Sequence, residues 1–415
     1  MPVTISAKGK DFESWRAAGN FAVMFREAML NKTATLLSGP AAEYFQDVEC
    51  RLEEQAATCS AEVAAMRQMV EKAAVSDNPA DLKVGIVAFY AAAYGFFSRF
   101  QSVTAFWQLS AEFYRAMSHS VVTLAKEKMG MLARRLPPVA LVALGPCGRN
   151  EFSPFCRMQV MMLHGEVDSS MIEPLRLFGR MLHESFEAIG LLLDDVVTPR
   201  NPDWCGTVSR WCEKMARGVE RGNAKELIEL LRLADQSALY QDADLWAGFR
   251  ADCLELLGGS FSAMNNLVVR LNKIPGGIGL MGGVRLERSG AYRGLFRLLD
   301  HALLPLSVCI TSLSLLKGIE EIGTPQRIRG LLAKGALDVE TAERALEAWH
   351  LFNRLHLSAE AGLQPEWGRQ TALYLDVLAL SEADQGELRS CLEATAMLQR
   401  YVGIAYNRWE EQAAC

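Results

Sequence analysis

A chain of 415 residues, 50% apolar and 22% charged, has the composition of a globular protein with core enough for two or three domains, which excludes a disordered chain. A formal net charge of −6 with no long basic run excludes a protein that holds nucleic acid by displacing counterions from phosphates. Ten cysteines without a Cys-x-x-Cys pair, and an N-terminus without an apolar export core, lead to the expectation of a cytoplasmic protein with reduced thiols.

Residues 1–135 are expected to be helical. A first helix runs over 11–37 and stops at Ser38-Gly39-Pro40. A second runs over 41–75, where Leu52, Val63, Met66, Met69 and Val70 form a loose apolar face among charges, the pattern of a helical hairpin or arm. Ser76-Asp77-Asn78-Pro79 then breaks the chain and can cap the next helix. Residues 82–113 are dense in aromatics, among them Phe89, Tyr94, Phe97, Phe106 and Phe113. Such a segment serves either as a bundle core, the reading preferred here, or as a recognition face through which helices meet a protein partner or a second copy of the chain. The longest apolar stretches, 84–97 and 303–316, fall short of a membrane span and read as buried helices, so no membrane partner is expected.

After Pro137-Pro138, two apolar runs, 139–144 and 160–163, read as strands. Between them lies Gly145-x-x-Gly148-Arg149-x-Glu151. Glycines three apart allow a sharp turn with main-chain N–H groups open to an anion, and Arg149 adds a planar cationic fork. These residues, with the spacer Ser153-Pro154-Phe155, resemble the signature of the nucleotidyltransferases related to the protein-PII uridylyltransferase, most closely the DUF294 branch. That signature reads Gly-(Gly/Ser)-x-Gly-Arg-x-Glu, then a spacer and Asp-x-Asp on the next strand. The resemblance implies a nucleotidyltransferase fold with a nucleotide ligand. It also implies Mg²⁺ held by the two aspartates, which alternation along a strand places side by side. Here Arg157 and Gln159 stand in their places. A cation there repels a metal while it still attracts phosphate.

Beyond the signature, a helix over 172–189 carries Leu175, Phe178, Met181, Leu182 and Phe186, and a strand is expected over 191–197. Asn201-Pro202-x-Trp204, followed by Trp211, resembles a DUF294 segment that closes one side of the family's pocket. Asp194 and Asp195 stand where a third acidic residue could descend from the family's catalytic set, although a strand-end or turn role is the preferred reading, as it is for Asp168. Asp235 and Asp242 hold family positions, whereas Ser237 and Gln241 replace the family's Arg and Gly. The glycine-rich stretch 274–283 lacks the Gly-Lys-Ser/Thr ending of a phosphate loop and reads as a connection between helices. Leu299-Asp300-His301, Pro305-Leu306 and Thr324-x-x-Arg327-Ile328 resemble the C-terminal DUF294 helical domain, and Thr324 is the expected N-cap of its helix. His350 and His356, six apart, share no helix face and form no metal pair.

The fold expected from these elements is α+β and predominantly helical: a helical region over 1–135, a nucleotidyltransferase-like domain with a small mixed sheet over 136–260, and a helical bundle over 261–415. The resemblance spans residues 115–360. Nucleotide-binding candidates are Gly145, Gly148, Arg149, Glu151 and Arg157. With Arg157 and Gln159 in the aspartate positions, no catalytic residue is assigned, and Asp194 and Asp195 are the residual acidic candidates. Three functions stay open: a pseudo-nucleotidyltransferase that senses a nucleotide or holds a partner, an active transferase, and an interaction protein. The active transferase would need a substitute Mg²⁺ site built from Glu151, Asp168, Asp194 or Asp195. In the interaction protein Arg149 would pair internally, with Glu151 or Asp194.

Overall fold

The computed structural model describes residues 40–221, 231–260, 265, 274–279, 282–363 and 374–413. The helix expected over 11–37 lies outside them. The fold is built around β1 (Val139–Leu144), in which all six residues of Val-Ala-Leu-Val-Ala-Leu are buried. A strand apolar on both faces must be covered on both, so it takes the centre of a sheet. It pairs antiparallel with β2 (Gln159–His164) on one side and with β4 (Gln236–Gln241) on the other. The short β3 (Cys205–Gly206) joins β2 in parallel, giving the order β3-β2-β1-β4. The expected α+β class with a small mixed sheet is the one found.

Among the described residues three long helices precede the sheet: α1 (Pro40–Ala74), α2 (Pro79–Phe100) and α3 (Val103–Met129). The sequence reads α2 and the start of α3 as one aromatic segment. The chain breaks it at Gln101, whose φ of 52° is left-handed, and Ser102 then caps α3 by accepting from the Ala105 N–H at 3.3 Å. The aromatics form core: Phe89, Phe96, Phe97, Phe106 and Phe113 are at most 1% exposed, and Phe89 stacks on Phe113 with centroids 4.0 Å apart. Burying each such ring stabilises the fold by roughly 1.5–3 kcal/mol. Nor does α1 stand off as an arm. It lies along α3 and buries Cys59, Val63, Met66 and Ala73.

Beyond β2 the chain forms α4 (Ile172–Ala188), α5 (Val208–Arg221) and α6 (Trp246–Gly258). The strand expected over 191–197 reduces to one parallel bridge, Met158 to Leu193, because Asp194 turns the chain by accepting from the Val196 and Val197 N–H groups at 2.9 and 2.8 Å. A second layer comes next: α7 (Leu304–Lys317), α8 (Thr324–Ala333), α9 (Val339–Ala361) and α10 (Glu382–Ala413), with a two-stranded ribbon of β5 (Phe296–Arg297) and β6 (Tyr374–Leu375). Pro79–Phe100 and Leu299–Lys317, at 22 and 19 residues, do reach the length and apolarity of a membrane-crossing helix, longer than the sequence reading allows. Leu306, Cys309, Ile310 and Leu313 of the second are at most 1% exposed inside the protein. The N-cap of α8 is Gly323, and Thr324 is the first helical residue, its hydroxyl turned elsewhere.

Two glycines with opposite surroundings test this packing. A Cβ on Gly148 would lie 2.1 Å from the Asp235 carbonyl oxygen, so the turn after β1 touches the start of β4 backbone to backbone, whereas a Cβ on Gly85 in α2 meets nothing within 4 Å. Gly148→Ala is expected to lower the free energy of unfolding by about 1–3 kcal/mol or more, as other overpacking does. Gly85→Ala is expected to raise it by up to about 1 kcal/mol through helix propensity alone. Urea denaturation of both variants checks the pair.

Candidate functional site

The end of β1 turns sharply at Gly145, whose φ of +64° suits glycine, into a four-residue helical turn, Gly145–Gly148. The expected row of free N–H groups is largely absent. The Gly145 N–H donates to the Asp235 carbonyl, that of Arg149 to the Gly145 and Pro146 carbonyls, and those of Asn150 and Glu151 to the Cys147 and Pro146 carbonyls, all within 3.1 Å. Pro146 occupies a position that the signature gives to Gly or Ser, and it brings neither an N–H nor a hydroxyl. The sequence reading passed over that substitution.

Arg149 does not offer its fork to solvent. Its side chain is 10% exposed, with Nη1 donating to Asp235 Oδ2 at 2.7 Å and Nη2 to Glu151 Oε2 at 2.9 Å. The second oxygen of each carboxylate reaches the C-terminal helices. Asp235 Oδ1 accepts from Arg327 Nη1 on α8 and, at 3.1 Å, from the Thr311 hydroxyl on α7. Glu151 Oε1 accepts from the Thr324 hydroxyl at 3.1 Å and from Trp349 Nε1 at 3.2 Å. Arg327 is 2% exposed and donates further to the Thr311 hydroxyl at 2.9 Å and to the Glu321 and Ala234 carbonyls. Burial favours the neutral form of both Asp235 and Arg149. The opposing charges outweigh it: Arg327 and Arg149 hold the Asp235 carboxyl below its usual range, and Glu151 and Asp235 push the Arg149 guanidinium up. Two guanidiniums and two carboxylates leave the cluster neutral.

Arg157 and Gln159, read from the sequence as standing in the Asp-x-Asp positions, lie apart from this cluster's ion pairs. Arg157 pairs with Asp195 at 2.9 Å, both largely exposed. Gln159 opens β2 opposite Leu144, its Oε1 3.3 Å from where a Cβ on Gly145 would sit. Asp194 is occupied in its turn, and Asp168 caps a short 3-10 helix by accepting from the Ser170 N–H at 2.8 Å. The carboxylates open to a substitute metal site are therefore dispersed among unrelated partners. Among the described residues no group of three His, Cys, Asp or Glu side chains could hold a metal. A Mg²⁺ ion does not fit this donor set, which puts a guanidinium where hard oxygens are needed.

A cavity of about 380 Å³ opens beside the turn. Gly145 and Arg149 line it from the signature turn, Arg157 from the loop before β2, Trp107 from α3, Leu304 and Thr311 from α7, and His356 and Glu360 from α9. Glu360, 2% exposed, accepts from the Ser153 hydroxyl at 2.6 Å and the Tyr94 hydroxyl at 2.9 Å, and lies 3.3 Å from His356 Nε2. Sequence reasoning tested His356 only against His350. The signal it missed is His356-x-x-x-Glu360, an i, i+4 pair on one helix face. Likewise Arg327 was noted as a family position, and nothing local marked it as the partner of Asp235.

Removing one member of a buried pair leaves the other charged and unpaired, so Arg327→Ala or Asp235→Ala is expected to cost about 3–5 kcal/mol. Arg157→Ala, which breaks only an exposed pair, is expected to cost under about 1 kcal/mol. Denaturant titrations give the contrast. Burial lowers the His356 pKa, but the Glu360 charge and hydrogen bond, with Cys156 and Glu151, outweigh it and raise the pKa above its ordinary value. Its stabilisation is therefore complete below about pH 6.5, the unfolded value, and is lost as pH rises through the folded one. Thermal melts from pH 5 to 9 should show that decline, and His356→Gln should flatten it.

Residues 89–225 match the family model described as Putative nucleotidyltransferase DUF294, and residues 262–406 match DUF294_C, the Putative nucleotidyltransferase substrate binding domain. The matches reach beyond the 115–360 read from the sequence and take in much of the aromatic segment, in which that reading recognised no family. No curated protein matches the chain at significant similarity. With both models aligned in order over most of its length, the chain belongs to the DUF294 family of nucleotidyltransferase-like proteins.

Proposed function

We propose that the chain is a pseudo-nucleotidyltransferase: a cytoplasmic regulatory module that binds a nucleotide-sized ligand without transferring its phosphate. The observation that carries the first half is Arg157, a cation in the position of a metal-binding aspartate and paired with Asp195. Transfer from a triphosphate needs divalent charge at that place to neutralise the leaving group, and a guanidinium repels it. The second half rests on where the cavity lies. Its walls come from Trp107 of α3, the loops at the end of the sheet and the C-terminal helices, so a ligand inside can touch all three and bias how they pack. About 380 Å³ lies within the range of small-molecule sites.

A second reading, an interaction module without a small ligand, draws support from Arg149. Its two guanidinium nitrogens already hold Glu151 and Asp235, so its charge is spent internally. In that case the working surface is helical, and the exposed Val84 and Val87 of α2 are the apolar positions open to a protein partner or a second copy.

Thermal unfolding against nucleoside mono-, di- and triphosphates, each with and without Mg²⁺, separates the readings. A nucleotide at 100 times its Kd stabilises the native state by about 2.7 kcal/mol, so even modest affinity shows as a raised midpoint. Stabilisation independent of Mg²⁺, with no labelled nucleotide transferred to protein or small acceptors, is expected. Mg²⁺-dependent stabilisation of the wild type would restore the enzyme. A flat response to every nucleotide would favour the interaction module. Arg157→Asp combined with Gln159→Asp is expected to make the response depend on Mg²⁺.

A further inference from the structure

The signature turn and its spacer loop each place a cysteine against the other. Cys147, third residue of the turn, is 1% exposed, and its Sγ lies 3.5 Å from Sγ of Cys156. Both are free thiols. They differ in access: Cys147 is sealed beneath the turn, whereas Cys156 is half-buried and lines the cavity. A reagent entering the cavity therefore meets Cys156 first. We propose that Cys156 and Cys147 form a peroxide-responsive dithiol, with Cys156 the attacking thiol and Cys147 the resolving one.

The chemistry is complete with a hydroperoxide as oxidant. The Cys156 thiolate attacks the terminal peroxide oxygen, the O–O bond breaks, and the departing alkoxide or hydroxide takes up a proton, leaving Cys156 as a sulfenic acid. Cys147 sulfur then attacks Cys156 sulfur. The S–S bond forms, and the sulfenic oxygen leaves as water with the Cys147 proton. Two thiols and one hydroperoxide thus give one disulfide, one alcohol or water, and one water. The surroundings favour these roles. The contact with Cys147 lowers the Cys156 pKa, aided by the His356 and Arg149 charges, and together these outweigh burial and the Glu360 carboxylate, which raise it. The same contact and burial push the Cys147 thiol up. Cys205, pushed up to about 12 by burial against the opposing Arg210 charge, is the contrast.

Closing the pair has a mechanical result. A disulfide bond is about 2.0 Å long, so the sulfurs must approach by roughly 1.5 Å. The turn has little room to give, because Gly148 abuts the Asp235 carbonyl and the Ser237 hydroxyl donates to the Cys147 carbonyl at 3.3 Å. The movement falls on the spacer loop. That loop carries Ser153, which donates to Glu360, and Phe155 and Arg157, which line the cavity. Oxidation thereby reshapes the cavity wall.

The test is mass spectrometry of the reduced full chain after brief treatment with hydrogen peroxide, followed by alkylation of remaining thiols and digestion. The expected product is a Cys147–Cys156 cross-linked peptide, two hydrogens lighter than the reduced pair and reversed by dithiothreitol. It should form at least about tenfold faster than Cys205 or Cys212 is modified. Cys147→Ser should leave a Cys156 sulfenic acid that dimedone traps, and Cys156→Ser should leave Cys147 unmodified over the same time. Oxidation of Cys156 at the rate of the other cysteines would overturn the proposal. So would a wild-type product that is sulfinic acid or a disulfide to another partner. Because the wild type carries the main readout, poor folding of a variant does not remove the test.

Discussion

Asp235 between Arg149 and Arg327 is the contact on which the rest of the structure depends. One carboxylate oxygen takes the guanidinium of the signature turn and the other takes that of α8. With Glu151 bonded to Thr324 and Trp349, this joins the sheet to the C-terminal helices across 92 to 198 residues of sequence. Burying such charges adds little to stability compared with apolar residues of the same volume. Its effect is geometric. Each partner requires the others, so the two layers dock in one orientation, and the cavity between them keeps a defined shape.

The same cluster changes the meaning of the signature. In the resemblance, Arg149 is a phosphate fork in an open turn. Here its charge is matched by two carboxylates, Pro146 removes a donor, and the neighbouring N–H groups bond to carbonyls of the turn itself. The motif is retained as a structural joint, with its charges turned inward. Arg157 follows a related logic at the surface, where its charge is balanced by Asp195, one of the two residual acidic candidates read from the sequence.

Function, on this reading, belongs to the space where three parts of the chain meet. The cavity holds the two cysteines' accessible member, the His356–Glu360 pair and the rim of the signature turn. A group that bears on Ser153 bears on Glu360 and through it on Tyr94 of α2. A ligand in the cavity and a Cys147–Cys156 disulfide, the two proposals made above, would therefore bear on the same wall. The Ser153–Glu360–Tyr94 hydrogen bonds connect that wall to α2.

Much was legible in the sequence because it was local. Six consecutive apolar residues dictated a central strand, Asn78 before Pro79 announced a helix start, and the Gly-x-x-Gly-Arg-x-Glu spacing identified the family. The aromatic density between residues 82 and 113 was rightly read as core, since few alternatives bury so many rings. Local patterns also misled. The apolar run 191–197 had strand composition, yet Asp194 spends its carboxylate on a turn there. Thr324 looked like a cap, yet its hydroxyl goes to Glu151. What the sequence determined was composition, element type and ancestry, which depend on neighbours a few residues apart. Only the tertiary structure decided that Arg149 faces Asp235, that His356 pairs beside Ser153 and Tyr94, and that Cys147 meets Cys156. The partner of a buried charge or thiol is set by packing between distant segments, and no periodicity in the chain records it.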